Sequence, residues 1–237
     1  FSKWSILFVD GESNHNHREF IKEYCSKEKR CEWIEQSITR KGIFGAMNQG
    51  FHNTGSNEWL LFWGSDDWAA TPYVFEQIIN IVETYKPPLP DLIVCKGRYI
   101  NSLNNIPMRK TTFLSTKGNT VLLANYFRNK LFWGSTPPHQ ATIFGPGARS
   151  KLRRYSEDFR LSADLDFFLK LSTSKNLKVL NSDLEIVHMS DGGISGIQTQ
   201  KRLSEVRLAY KNTFGFMWWF PFLMRYIKKL ASVITYS

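Results

Sequence analysis

The chain has 237 residues, 42% hydrophobic and 15% aromatic, which is enough for a large core and excludes disorder as a global description. Its 31 lysines and arginines against 21 aspartates and glutamates give a net charge of +10, a balance that suits polyanions in general: nucleic acid, anionic lipid or phosphorylated small molecules. Three cysteines, Cys25, Cys31 and Cys95, show no CxxC spacing; they argue against a disulfide or zinc framework and for a reducing cytosol.

No secretory signal opens the chain, and no apolar run approaches the length of a membrane span. The chain starts strand-like without Met, so the expectation is that its natural N-terminus has been lost. Ser5–Val9 reads as a strand ending at Asp10-Gly11, Arg18–Ser26 as a helix and Cys31–Ile38 as a short strand. Gly42–Phe51 has helical spacing, with Ile43, Ala46, Met47 and Phe51 on one face. Glu58–Trp63 is an apolar strand. Thr71-Pro72 predicts a helix start, and Val74, Phe75, Ile78, Ile79 and Val82 form that helix's buried stripe. Asp91–Ile100 is a strand, "NSLNN" a turn and Met108–Ser115 a returning strand. Thr120–Asn129 is predicted helical, and Gln140–Phe144 is a strand followed by a break. Ser162 looks like the N-cap of a helix through Ser172, with Asp164 in its first turn. Leu177–Met189 is extended, "SDGGISG" a flexible loop and Gln200–Asn212 a closing helix. Strands alternating with helices, plus one turn-linked strand pair, predict an α/β chain with a mixed sheet.

The chemistry gathers at strand ends. "WLLFWGSDDW" sets two adjacent carboxylates, Asp66 and Asp67, just past a buried strand. Like charges so close raise one another's pKa unless a cation or donor offsets them. A hard divalent cation that also takes a diphosphate would do so. Asp10 occupies a similar strand exit, where a residue that merely satisfies turn donors is the simpler reading. His188 precedes Gly192-Gly193. By chemistry alone a metal ligand and an ordinary hydrogen-bonded histidine are equally open there.

Five blocks, "FVDGESNHN", "GIFGAMNQGFHNTGSNEWLLFWGSDD", "HQATIF", "FRLSADLDFFLKL" and "VHMSDGGIS", stand in the order and spacing of bacterial family-2 glycosyltransferases of the exopolysaccharide and O-antigen type. The chain resembles them from about Ser5 to Ser195. The resemblance implies an α/β GT-A fold, a mixed sheet flanked by helices, over residues 1–198 and without its first strand and helix. Residues 199–237 would form a helical, aromatic and basic segment. It also implies inverting, metal-dependent transfer of a sugar from a nucleotide-diphosphate donor to a hydroxyl of a lipid-linked glycan in cell-surface polysaccharide synthesis. Asp10, Asn48 and Asp66 would then contact the nucleotide, Asp67 and His188 the metal (Mn²⁺ or Mg²⁺), and Asp164 would be the general base. His139 and Gln140 would fall on the acceptor side, and Asp166, two residues after the base, should point elsewhere.

"FGFMWWFPFLMRYIKKL" sets aromatics beside Arg225, Lys228 and Lys229, as in segments lying at a membrane interface. With lipid-linked acceptors common in such families, the expected place is the cytoplasm at the inner face of the plasma membrane. A nucleic-acid module is a second reading of the +10 charge, but the basic residues are scattered, as in "KEKR" and "KLRR", and no RNP-type or zinc-finger motif appears. Nucleic acid is therefore not expected as a partner. A non-catalytic relative that only holds partners is the third reading.

Overall fold

A computed structural model describes residues 3–39, 41–191 and 198–234. The elements are β1 (Ile6–Asp10), α1 (His15–Lys27), β2 (Cys31–Glu35), α2 (Ile43–Asn53), β3 (Leu60–Leu61), β4 (Asp67–Ala69) and α3 (Val74–Thr84). They continue with β5 (Leu92–Ile100), β6 (Pro107–Thr111), β7 (Thr120–Leu123), α4 (Ala124–Phe132), β8 (Thr142–Phe144), α5 (Pro146–Lys151), α6 (Ala163–Leu171) and β9 (Lys178–Ser190). The C-terminal part holds α7 (Thr199–Phe214) and α8 (Trp219–Ile234). The loop expected over 190–196 lies, from residue 192 on, outside the described residues.

β1 and β2 form a parallel pair, and the other strands form a seven-stranded mixed sheet in the order β3-β8-β5-β9-β4, with β6 on β5 and β7 on β9. β5 and β9 are parallel; their neighbours run antiparallel to them. β5 explains the placement of the core. Its run Leu92-Ile93-Val94-Cys95 is buried throughout, because successive side chains point to opposite faces and both faces are covered. Leu92 and Val94 enter one core, with Phe144, Leu165 and Phe168. Ile93 and Cys95 enter the other, with Val74 and Ile78 of α3.

The mixed α/β sheet expected from the sequence is present, with local corrections. Thr120–Leu123 is not the start of a helix but a strand on β9, with Leu122 buried; α4 begins only at Ala124. A short apolar run carries no period, and pairing with β9 decided its state. Only Leu60–Leu61 of the expected 58–63 strand pairs. Thr71 makes a backbone turn to Val74 rather than a side-chain cap, and Tyr73 stands at the cap position of α3. α7 carries Val206, Ala209 and Tyr210 into the same core as Leu165 and Phe168, so residues 199–214 are built into that core. Among the described residues no helix is long and apolar enough to cross a membrane.

Candidate active site

α6 positions the candidate base. Its residues Leu165, Phe167, Phe168, Leu169 and Leu171 are buried, each contributing on the order of 1.5–3 kcal/mol of apolar transfer, and this pins the helix between sheet and α7. Ser162 stands at the N-cap, as expected, but its side chain makes no cap bond. The carboxylate of Glu205, from α7, accepts instead the backbone N–H groups of Arg160 (3.0 Å), Leu161 (2.8 Å) and Ser162 (2.9 Å). A charge from another helix therefore holds the turn that leads into Asp164. The residue was not found from sequence; the signal was a lone acid on the otherwise apolar inner stripe of α7.

Asp164 is half-buried. Its charge acts on a buried pair behind it, in which His139 Nε2 and the Tyr155 hydroxyl share a 2.6 Å hydrogen bond. Burial pushes the His139 pKa down and the Tyr155 pKa well above the usual phenol value, and Asp164 adds to the latter. Both groups are thus held neutral beside the carboxylate. Asp166 faces elsewhere, as expected, but is 1% exposed and paired with Lys170 at 2.7 Å. Its burial raises its pKa despite that lysine, so it is part of the core.

The expected nucleotide residues divide. Asn48 is buried, and its amide is committed to the main chain of Tyr155: Nδ2 donates to the Tyr155 carbonyl (3.1 Å) and Oδ1 accepts the Tyr155 N–H (2.7 Å). Its neighbour Gln49 binds the Glu35 carbonyl and the Ser37 N–H. One helical turn of α2 thereby joins the end of β2 to Tyr155. Asp10 ends β1 with a buried side chain that accepts from Ser13 N (2.9 Å) and Arg18 Nε (2.9 Å). Burial works to raise its pKa, but the bonds from Ser13 and Arg18 together hold it below the ordinary value. Beside it, Gly11, Gln36, Ser37, Ile38 and Lys41 line a cleft of about 100 Å³ at the carboxyl ends of two parallel strands, where ligands of open α/β sheets bind.

Asp66 is exposed and Asp67 part-buried, in a tight turn where Asp67 Oδ2 accepts the Gly64 N–H at 2.6 Å. Burial, only partly offset by that bond and reinforced by the Asp66 charge, pushes the Asp67 carboxyl up to about 6. The two carboxylates close over Gly64: a Cβ there would stand 2.7 Å from Asp66 Oδ1 and 3.3 Å from Asp67 Oδ2. Such a convergence of hard oxygens fits a divalent cation.

His188 is not brought into that set. Asp67 is registered opposite Met189 and Trp68 opposite His188, and directly opposed residues share a face while successive ones alternate. His188 therefore falls on the other face, in edge contact with Trp68. It bonds Glu185 Oε1 at 3.1 Å. Arg98 grips that carboxylate at 2.7 and 2.8 Å and holds it down to about 2. Among the described residues no group of three or more His, Cys, Asp or Glu side chains converges as a metal site. Gln140 offers its backbone carbonyl to Trp63 Nε1 (2.9 Å), which ties the strand exit to His139.

The sequence model for Glycosyl transferase family 2 matches residues 1–156. Among solved structures the chain is similar to S. aureus TarS 1-349, with a TM-score of 0.66 and 14% identity over 96% of this chain and 63% of that one. It is also similar to the same TarS segment in complex with UDP (0.62, 14%, 90% and 58%). A further neighbour is the mannosyltransferase PcManGT from Pyrobaculum calidifontis in complex with GDP-Man and Mn²⁺ (0.54, 12%, 88% and 54%). The chain spans less than two thirds of each of these structures. No curated protein matches it. At such identities the likeness carries the fold, and the fold is GT-A.

Proposed function

Because the chain belongs to glycosyl transferase family 2, we propose that it transfers a sugar, with inversion, from a nucleotide-diphosphate donor to a hydroxyl of a lipid-linked glycan in cell-surface polysaccharide synthesis. The observation that carries this reading is Asp164. It is a half-buried carboxylate in the first turn of α6. The turn is anchored by Glu205, and the Asp164 carboxylate has no hydrogen bond or ion pair to any described residue. A general base needs such a carboxylate, ionised and turned to the reacting hydroxyl.

The other residues then take separable parts. The cleft beside Asp10 would hold the nucleoside. Asn48 would act at one remove, by fixing Tyr155 and through it His139. Asp67 with Asp66 would hold a divalent cation, which when bound would neutralise charge on the departing diphosphate. His188, turned to Glu185, would stay outside that pair. The outer side of α8 exposes Trp219, Leu223, Ile227 and Leu230 next to Lys228. That supports attachment at a membrane surface, which co-sedimentation with anionic vesicles would check.

The test is Asp164→Asn. The donor should still bind, read as a thermal shift with UDP-, GDP- and dTDP-sugars plus Mn²⁺, while transfer falls by about 10²–10⁴-fold. Transfer at the wild-type rate would remove Asp164 from the base role. Absence of any shift in the wild type with every nucleotide sugar would sink the donor assignment.

A further inference from the structure

The net charge of the chain is gathered in one stretch. Residues 92–156 carry eleven of the 31 lysines and arginines and none of the 21 aspartates and glutamates, so the chain's positive excess resides there. The hairpin that joins β5 to β6 lies inside this stretch, and its tip is apolar. Leu103 is 96% exposed, Ile106 56% and Met108 44%. The backbone of the tip is nevertheless fully bonded. Asn101 Oδ1 accepts the N–H groups of Leu103 (2.9 Å) and Asn104 (3.3 Å), and Asn104 Oδ1 accepts that of Ile106 (3.1 Å). The Asn105 N–H donates to the Asn101 carbonyl (2.9 Å), and the Asn101 N–H to the Ile106 carbonyl (3.0 Å). Ser102 donates its N–H to Asp191 Oδ1 at 2.8 Å. Every backbone N–H from 101 to 106 thus has an acceptor within the protein, and none of these donors needs water.

The root of the hairpin is tied to the end of β9. The Asp191 N–H donates to the Ile100 carbonyl (3.1 Å), and the Ser190 N–H to the Asp66 carbonyl (3.3 Å). Met189 is registered with Asp67 on one side and Tyr99 on the other, so Asp67 and the root stand two strand spacings apart, about 10 Å. Arg109 and Lys110 follow Met108 directly, and both are exposed. The Arg109 guanidinium lies over the Tyr99 ring at 4.6 Å. Lys110 Nζ stands 3.6 Å from the Glu185 carboxylate, which Arg98 already grips. An apolar tip with its backbone donors satisfied can enter a bilayer interface, and cations directly behind it meet anionic head groups. We infer that the β5–β6 hairpin docks on an anionic membrane surface, with Leu103 and Ile106 in the interface and Arg109 and Lys110 at the head groups. This docking is separate from that of α8 and goes beyond the glycosyltransferase reading. Taken with that reading, it sets Asp66 and Asp67 beside the surface from which a lipid-linked acceptor comes.

Co-sedimentation of the whole chain with phosphatidylcholine vesicles, with and without phosphatidylglycerol, tests it. The wild type should bind the anionic vesicles. Leu103→Glu combined with Ile106→Glu should weaken that binding by about ten- to a hundredfold, the worth of burying a leucine-sized side chain. Both residues are exposed, so the melting temperature should not change. Arg109→Gln combined with Lys110→Gln should lose on the order of tenfold on anionic vesicles and nothing on neutral ones. A polarity-sensitive fluorophore on Leu103→Cys should shift to the blue on vesicles relative to the labelled wild type, which reads contact at the tip rather than at α8. Wild-type vesicle binding by the glutamate variant, no shift of the fluorophore, or no binding of anionic vesicles by the wild type overturns the docking. Self-association in solution that the glutamate variant abolishes, followed by sedimentation velocity, assigns the tip to a second copy of this chain and likewise overturns it. Donor binding is read separately, by thermal shift with nucleotide sugars and Mn²⁺. Its absence would count against the glycosyltransferase reading and leave the vesicle result standing.

Discussion

Replacing Asp67 by Asn should make the protein more stable and at the same time remove its response to metal. Part-burial beside Asp66 moves the Asp67 carboxyl from 3.8 to about 6. At about 1.4 kcal/mol per unit the ionised group would cost about 3 kcal/mol. Asp67 is only part-buried, so solvent screening reduces this to about 1–2 kcal/mol. Asparagine keeps an oxygen to accept the Gly64 N–H and carries no charge, so the cost disappears. The pH dependence follows from linkage. Between about 3.8 and 6 the folded protein holds a proton that the unfolded chain has released, so wild-type stability falls as pH rises through that window and stays reduced above it. The variant has no such group. Its melting temperature should exceed that of wild type by about 2–8 °C at pH 8, and the gap should shrink below pH 6 and close near pH 4. In wild type, Mn²⁺-supported binding of a nucleoside diphosphate should strengthen as pH rises through about 6, because the ligand must be deprotonated; in Asp67→Asn that metal dependence should be absent. Thermal melts at several pH values, with and without Mn²⁺, read both effects. A variant that melts below wild type at pH 8, or a gap that does not change with pH, would refute the desolvated-carboxylate reasoning. Unchanged Mn²⁺ dependence in the variant would refute the metal role.

Three further substitutions probe the supports of the site. Glu205→Ala strands three backbone N–H groups and should cost about 3 kcal/mol or more, lowering the melting temperature by about 6–12 °C. Transfer per folded molecule should drop with it, and an unaltered melt would mean that the turn holds without the carboxylate. Asn48→Ala removes two buried hydrogen bonds to Tyr155 and should destabilise by about 2–4 kcal/mol while donor affinity per folded molecule persists. An unchanged melt with lost nucleotide binding would return Asn48 to direct nucleotide contact. Gly134→Ala drives a methyl into the Arg225 backbone at a positive φ and should cost about 2 kcal/mol or more. Unchanged stability in a denaturant titration would show that α8 does not lie against Gly134.

Much of the fold was legible because its signals are local. Asp91–Ile100 reads as a buried strand from its apolar run alone, and the helix after Ser162 from its packed leucines and phenylalanines. The carboxylates at strand exits stood out because charge beside an apolar run is locally anomalous. Thr120–Leu123 was misread because a short apolar stretch suits either state until β9 lies beside it. The position of Asp164 in the first turn of its helix was likewise evident in the sequence, whereas the anchoring of that turn was not: Glu205 lies 41 positions downstream, and hydrogen bonding across that separation leaves no periodic trace. Sequence order set Asp67 and His188 apart as two candidates for one metal, but the face each side chain takes depends on the register between β4 and β9. Slipping that pairing by one residue would exchange the faces. The cations of α8 show the same division. Composition alone determined that the chain is basic, and only the close approach of α8 to Gly134 decided that Arg225 and Lys228 meet Thr136 and Ser135, because such contacts depend on distances in space and not on order along the chain.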